Sequence, residues 1–234
     1  QYENALKTFN QALSLDPKTP EASFNKSLIL LLKGKVEEGF KLYEQRWNTR
    51  LNPSKKINLT QPLWIENQDS SNKTLLIYPE QGFGDSIQMF RYINKLEKTN
   101  NKVILMVYKP LKELFSSNVK NTHIICKDDP IPDFDYQCPT MSLPLSFNTS
   151  LDNIFSPISY IKASPKKVNH WKDLLPKKTK PFIGIIWSGK SSYKHDKNRS
   201  IPFSKITSLF RDDLQFISLQ KDISEHDSNI IKSN

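Results

Sequence analysis

Apolar residues near the start of the chain recur at helical spacing. Across 2–15, Ala5, Phe9 and Ala12 stand at i, i+4 and i+7, one face of a helix, and Asp16-Pro17 stops it. Pro20 to Leu32 predicts a second helix, which Gly34 breaks, and Val36 to Trp47 a third. After a stretch rich in Asn, Ser and Lys (51–72), the pattern changes to short continuous apolar runs of the kind buried on both faces of a parallel sheet. The runs are Thr74 to Tyr78, Val103 to Tyr108 and His123 to Cys126, with a further short strand expected at Asp135 to Gln137. Helices are expected from about Ser86 to Lys98, at Leu111 to Phe115, and around Trp171. Pro181 to Trp187 then restarts the order of strand, turn and helix. It is followed by a helix from about Pro202 to Phe210 and a strand at Phe216 to Leu219. The segment 224–234 reads as polar apart from Ile230 and Ile231.

The first and third helical stretches align. Laying Tyr2–Leu13 over Val36–Trp47 at an offset of 34 residues puts Ala5 on Gly39, Leu6 on Phe40, Lys7 on Lys41, Phe9 on Tyr43 and Gln11 on Gln45. That period, with small residues where helices approach and Pro17 after the run, resembles the tetratricopeptide repeat. Such a unit buries its apolar face only against neighbouring units, so the chain is expected to begin inside a longer array. The expected divisions are repeats over 1–50, a linker over 51–72, a Rossmann-like domain over 73–178, and the start of a second over 179–234. The fold class is α/β.

Composition narrows the chemistry. The 234 residues carry 34 Lys+Arg against 24 Asp+Glu, a net charge of +10. Between Pro165 and Lys205, eleven basic residues face only Asp173 and Asp196. So local a positive field suits an anionic partner, whether phosphate groups, nucleic acid or an anionic membrane surface, or else reads as a solvated Lys-rich face. No recognition-helix, RNP or zinc-finger pattern accompanies it, which argues against nucleic acid. No apolar run approaches the ~18 residues of a membrane helix. No secretion signal is seen, and Cys126 and Cys138 stand in no metal-ligand or CxxC spacing. A reducing, cytoplasmic setting follows as the expectation.

Two glycine loops are the candidate sites. Glu80-Gln81-Gly82-Phe83-Gly84-Asp85 lies between a buried strand and a helix, where backbone N–H groups approach a ligand closely. It is no dinucleotide fingerprint, because Ile87 stands where a third small residue is needed and no acid ends the next strand. Asp85 is either a helix cap or, at the carboxyl end of a sheet strand, a base for an attacking hydroxyl. Glu80 is the neighbouring candidate. At the second loop, Ser188, Gly189 and Lys190, then Arg199, offer a hydroxyl, amides, an ammonium and a guanidinium of the sort that hold a pyrophosphate. His195 reads as a solvated loop residue.

Taken together, Gly34–Trp47, Gln61–Trp64, Pro79–Ile93, Pro132–Pro144, Ile183–Lys190, Arg199–Pro202 and Phe216–Lys221 resemble the bacterial tetratricopeptide-repeat glycosyltransferases. In these, helical repeats precede a GT-B fold that is similar to heptosyltransferases and, more distantly, to O-linked N-acetylglucosamine transferases. The resemblance implies sugar transfer from a nucleotide-activated donor, with no cofactor and no metal. It places Asp85 as the general base and Glu80, Gln81, Gly82, Gly84 and Arg91 on the acceptor side. Ser188, Gly189, Lys190, Arg199, Gln220 and Lys221 fall on the donor side, and the repeats imply a protein or peptide partner. The later donor-side motif of such enzymes is not found before Asn234, so this chain is expected to be an inactive fragment. The rival readings are a catalytically silent interaction protein and a lone nucleotide-binding module.

Overall fold

A computed structural model describes all residues but 51–55, 66–70, 156–157, 190–192, 194–195 and 234. It divides into two compact units, Gln1–Val168 and Asn169–Asn234.

The first unit opens with helices α1 (Tyr2–Leu15), α2 (Pro20–Leu32) and α3 (Val36–Tyr43). The turn after α1 is an Asp16 device: its carboxylate accepts from the Lys18 amide at 3.0 Å and the Thr19 hydroxyl at 2.9 Å. Pro20, with its fixed φ and missing N–H, then starts α2. Gly34 ends α2 at φ +75°, where a side chain would be strained. At Gly39, α3 comes so close to α2 that an added Cβ would meet Leu31 Cδ2 at 2.7 Å. The stretch expected to complete the third helix tightens into a 3-10 turn, Glu44–Trp47.

The sheet is four-stranded and parallel in the order β3-β2-β1-β4. Its strands are β1 (Thr74–Tyr78), β2 (Lys102–Val107), β3 (Thr122–Cys126) and β4 (Tyr136–Pro139). Helices α4 (Phe83–Leu96), α5 (Lys112–Ser116) and α6 (Leu143–Ser146) lie between or after them. The two-residue repeat of a strand sorts the core. Leu75, Ile77, Val103 and Leu105 pack with Met89, Phe90, Ile93 and Leu96 of α4. Leu76, Tyr78, Ile104 and Met106 face the other way, against Ile57, Leu59 and Phe134. Residues 56–65 therefore run along the sheet, with Leu63 bridged to Gln137 and Trp64 buried on Phe147. At the start of β3 a single Glu97 oxygen accepts from the Lys120 and Asn121 amides and the Thr122 hydroxyl, at 2.8 to 2.9 Å.

The second unit holds β5 (Phe182–Ile185) and β6 (Gln215–Ser218), paired in parallel. With them are α8 (Phe203–Ile206) and α9 (Glu225–Ser233), while α7 (Pro165–Leu174) runs across the division between the units. Trp187, Phe203 and Ile206 form its buried cluster, with Ile185 and Ile230 against it. Two expectations are corrected. The helix at Pro202–Phe210 is a single turn followed by a 3-10 turn at Thr207–Leu209, and the polar end of the chain contains α9. In α9, Ser224 caps through its hydroxyl, which accepts the Asp227 amide at 3.1 Å, and Ile230 faces inward.

The architecture is thus mixed α/β with parallel sheets. No described helix is long and apolar enough to cross a membrane.

Candidate functional site

Strand order singles out one place. Strands β2 and β3 lie to one side of β1, whereas β4 lies to the other, so the topological switch point falls between β1 and β4. Ligands of open α/β sheets bind in the crevice beyond the carboxyl ends of the strands at such a point. Here Glu80 follows β1, Met141 and Ser142 follow β4, and Arg46 occupies the place between them, bonded to Glu80 and Ser142.

Arg46, only 1% exposed, uses every edge of its guanidinium. Its Nε and Nη2 each donate to one oxygen of Glu80 at 2.9 Å, the parallel fork that suits a carboxylate. Nη2 also donates to Ser142 Oγ at 2.7 Å, and Nη1 to Glu44 Oε1 at 2.6 Å and the Tyr43 carbonyl at 3.3 Å. Trp47 and Tyr43 stand against its face, 4.4 and 4.9 Å from ring centre to Cζ. Glu80 Oε1 takes a further bond from the Met141 amide at 3.0 Å. Burial pushes the Glu80 carboxyl above its ordinary pKa, while the Arg46 fork opposes the shift. Glu80 is therefore consumed by the structure and does not face an incoming ligand.

Beside this cluster the chain opens. Gln81 Nε2 donates to the Tyr43 hydroxyl at 2.6 Å, and the Tyr108 hydroxyl donates to the Gln81 carbonyl at 2.6 Å. Burial raises the pKa of both phenols, and at Tyr108 the nearby Asp85 and Glu80 charges add to the shift. Gly82 and Gly84 are exposed, a side chain at Gly84 would enter open space beyond its own helix, and Phe83 is 48% exposed. Asp85 sits in the first turn of α4 with Gly82 as the N-cap residue, and its Oδ2 accepts the Gly82 amide at 3.0 Å. The cap is thus one carboxylate oxygen, and Oδ1 makes no hydrogen bond among the described residues. Arg91 does not join the loop: its Nε donates to the Gln88 carbonyl at 2.9 Å and its guanidinium lies 5.0 Å over the Tyr160 ring.

A second candidate lies in the second unit. A cleft of about 570 Å³ is lined by Ser188, Tyr193, Asp196, Lys197, Ser200 and Asp227, among others. Gln220 braces its base: Oε1 accepts the Trp187 and Ser188 amides at 3.2 and 3.1 Å, and Nε2 donates to the Ser188 carbonyl at 3.1 Å. The Gly189 amide donates to Ser200 Oγ at 3.0 Å, Ser200 to Asp196 Oδ2 at 2.8 Å, and Arg199 Nε to Asp196 Oδ1 at 2.9 Å. A Cβ at 189 would stand 2.5 Å from both Arg199 Nη2 and Asp196 Oδ1, so a larger residue there would displace these side-chain ends. The Ser200 hydrogen bond, and after it Arg199, holds the Asp196 carboxyl below its ordinary pKa. Ser188, Gly189, Arg199 and Gln220 are thus brought together, but their polar groups are largely engaged with one another and with Asp196. Lys221 is exposed. Lys190, Lys194 and His195 lie outside the described residues.

Sequence reasoning missed Arg46, Glu44, Ser142, Asp196 and Asp227. The last accepts the Trp187 indole N–H at 3.0 Å. Among the described residues no group of three or more His, Cys, Asp or Glu is placed to hold a metal, and burial pushes the Cys138 thiol up to about 12.

Comparison with known proteins corrects the family assignment. The chain is similar to the protein FlbA of Caulobacter vibrioides, 24% identical over 217 residues, a match covering 83% of this chain. The chain spans only 36% of FlbA. No family model matches, and no solved structure does. Membership of the tetratricopeptide-repeat glycosyltransferases, expected from the assembled motifs, is therefore withdrawn: short loop and helix patterns recur across α/β proteins, and no model of that family recognises them here.

Proposed function

We propose that the chain takes part in glycosyl transfer, with an acceptor hydroxyl meeting the Gly82–Asp85 loop and the second unit holding the diphosphate of a nucleotide-activated sugar. The observation that supports this reading is the loop itself: exposed glycines at the carboxyl edge of β1, beside the switch point, and a carboxylate with one oxygen uncommitted. In this role Asp85 takes the proton of the hydroxyl as its oxygen bonds to the anomeric carbon, and the nucleoside diphosphate leaves with the electrons of the broken C–O bond. The positive stretch around the second loop supports it further, since phosphate is what that field attracts. The matching finer architecture is a GT-B-type pair of Rossmann-like halves preceded by repeat helices.

The test offers the full-length protein a panel of nucleoside-diphosphate sugars and measures nucleotide release. Asp85→Asn is expected to lower turnover by about 100-fold with an unchanged melting temperature. Equal turnover in the variant, or no release from any donor, overturns the proposal.

One observation favours a second reading, a non-catalytic interaction protein: at the switch point the place between Glu80 and Ser142 is already occupied by Arg46. Calorimetric titration with nucleoside diphosphates separates the two, because the second reading expects no saturable heat.

A further inference from the structure

The glycine loop is braced from the helical region, and we infer that Tyr43 and Arg46 are positioning residues that set the place of the Asp85 carboxylate. The inference rests on the reading of Asp85 as the base. Its ground is a chain of contacts from the end of α3 to the start of α4. Arg46 fixes the Glu80 side chain through two parallel bonds at 2.9 Å, and Tyr43 fixes the next side chain, Gln81, through one bond at 2.6 Å. Tyr108 holds the Gln81 carbonyl from another side at 2.6 Å. The amide that follows is Gly82 N–H, whose acceptor is Asp85 itself.

Two consecutive residues are thus clamped immediately before a glycine that has no side chain to anchor it. Without the clamps, Gly82 has wide backbone freedom and the Asp85 carboxylate moves with it. A displacement near 1 Å at a reacting group costs on the order of 100-fold in rate, so the clamps matter to chemistry out of proportion to their contribution to folding. The sequence alone separates these partners by 34 and 38 residues, yet the fold places them in one contiguous cluster.

The decisive variant is Tyr43→Phe, which deletes only the hydroxyl and keeps the ring packed on Phe24 at 5.5 Å between centroids. Arg46→Lys, which keeps the charge and loses the fork, accompanies it. In the full-length protein the Gly82 amide should exchange hydrogen about tenfold faster in Tyr43→Phe, with the amides of β1 and β2 unchanged. Turnover in nucleotide release should fall about tenfold to 100-fold at an unchanged KM for the donor. A residue that only supports the fold would lower the melting temperature and leave the exchange of Gly82 relative to β1 as it was, and that result overturns the inference. If the wild-type protein releases no nucleotide, the glycosyl-transfer reading fails alone, and the Gly82 exchange rate still decides whether these residues hold the loop. Should Arg46→Lys fail to fold, Tyr43→Phe carries the test.

Discussion

The strands β1 and β5 begin alike and end in different surroundings. TLLIY and FIGI are both short apolar runs that lead into a glycine-bearing loop, and both pair in parallel. In β1 the three residues Leu75, Leu76 and Ile77 are fully buried, because α4 covers one face and the 56–65 stretch the other. In β5 Ile183 is 38% exposed, and the buried cluster of its unit is three residues, Trp187, Phe203 and Ile206. An apolar run therefore specifies a strand, while the layers on either side of it specify how much stability that strand returns. The loops differ in the same sense. The first leaves a carboxylate oxygen and two glycines open, whereas among the described residues of the second the Ser188 and Gly189 amides and the Arg199 guanidinium are tied to Gln220, Ser200 and Asp196.

Arg46→Ala should break the comparison most. It leaves the buried Glu80 carboxylate, and the half-buried Glu44, without their counter-charge, and about 3–5 kcal/mol of stability should be lost from the first unit. Urea unfolding followed by amide exchange in β1 and β5 would show the loss, which should leave β5 untouched. A smaller effect sharpens the contrast of the two strands. Leu75→Ala should cost about 3 kcal/mol, the usual range for a closed core, but Ile183→Ala should cost under about 1 kcal/mol. Equal losses would mean that β5 is packed as tightly as β1. The smallest effect is in pH. The Asp196 carboxyl is held down in the folded state, so its contribution to the second unit is present above the unfolded pKa near 4 and disappears as pH falls through the lower folded value. Amide exchange in β6 between about pH 5 and 3 should show this acid sensitivity, and Asp196→Asn should remove it.

Periodic features were readable from the sequence, and features joined across long separations were not. The apolar run Thr74–Tyr78 and the period of α1 and α2 depend on near neighbours, and each forms over the residues expected. Helix α4 starts at Phe83, ahead of the expected Ser86, because the Gly82 amide finds Asp85 three residues on. That capping signal is local and legible, since Asp85 already reads as a helix cap in the sequence. The same holds for α9, where Ser224 and Asp227 stand at capping spacing. Arg46 had no such signal. Its partners Glu80 and Ser142 lie 34 and 96 residues away, and inside the helix expected over Val36 to Trp47 it had no nearby feature to single it out. Charge counting alone also hides the pairing of Arg199 with Asp196, although the two stand only three residues apart and the signal is local.

The Arg46 cluster also constrains the order in which the chain acquires its structure. Helices α1 to α3 are joined by short turns and collapse on local contacts, which is fast. The guanidinium that follows them, however, gains its last partner only when Ser142 arrives after β4. During synthesis the arginine should accordingly have Glu44 and then Glu80 within reach before Ser142, and its full set of partners is expected only once the fourth strand has added to the edge of β1. Chains stopped before Ser142 should hold helical content but expose residues 43–47 to protease, and lengthening them past Ser146 should abolish the cleavage in a single step.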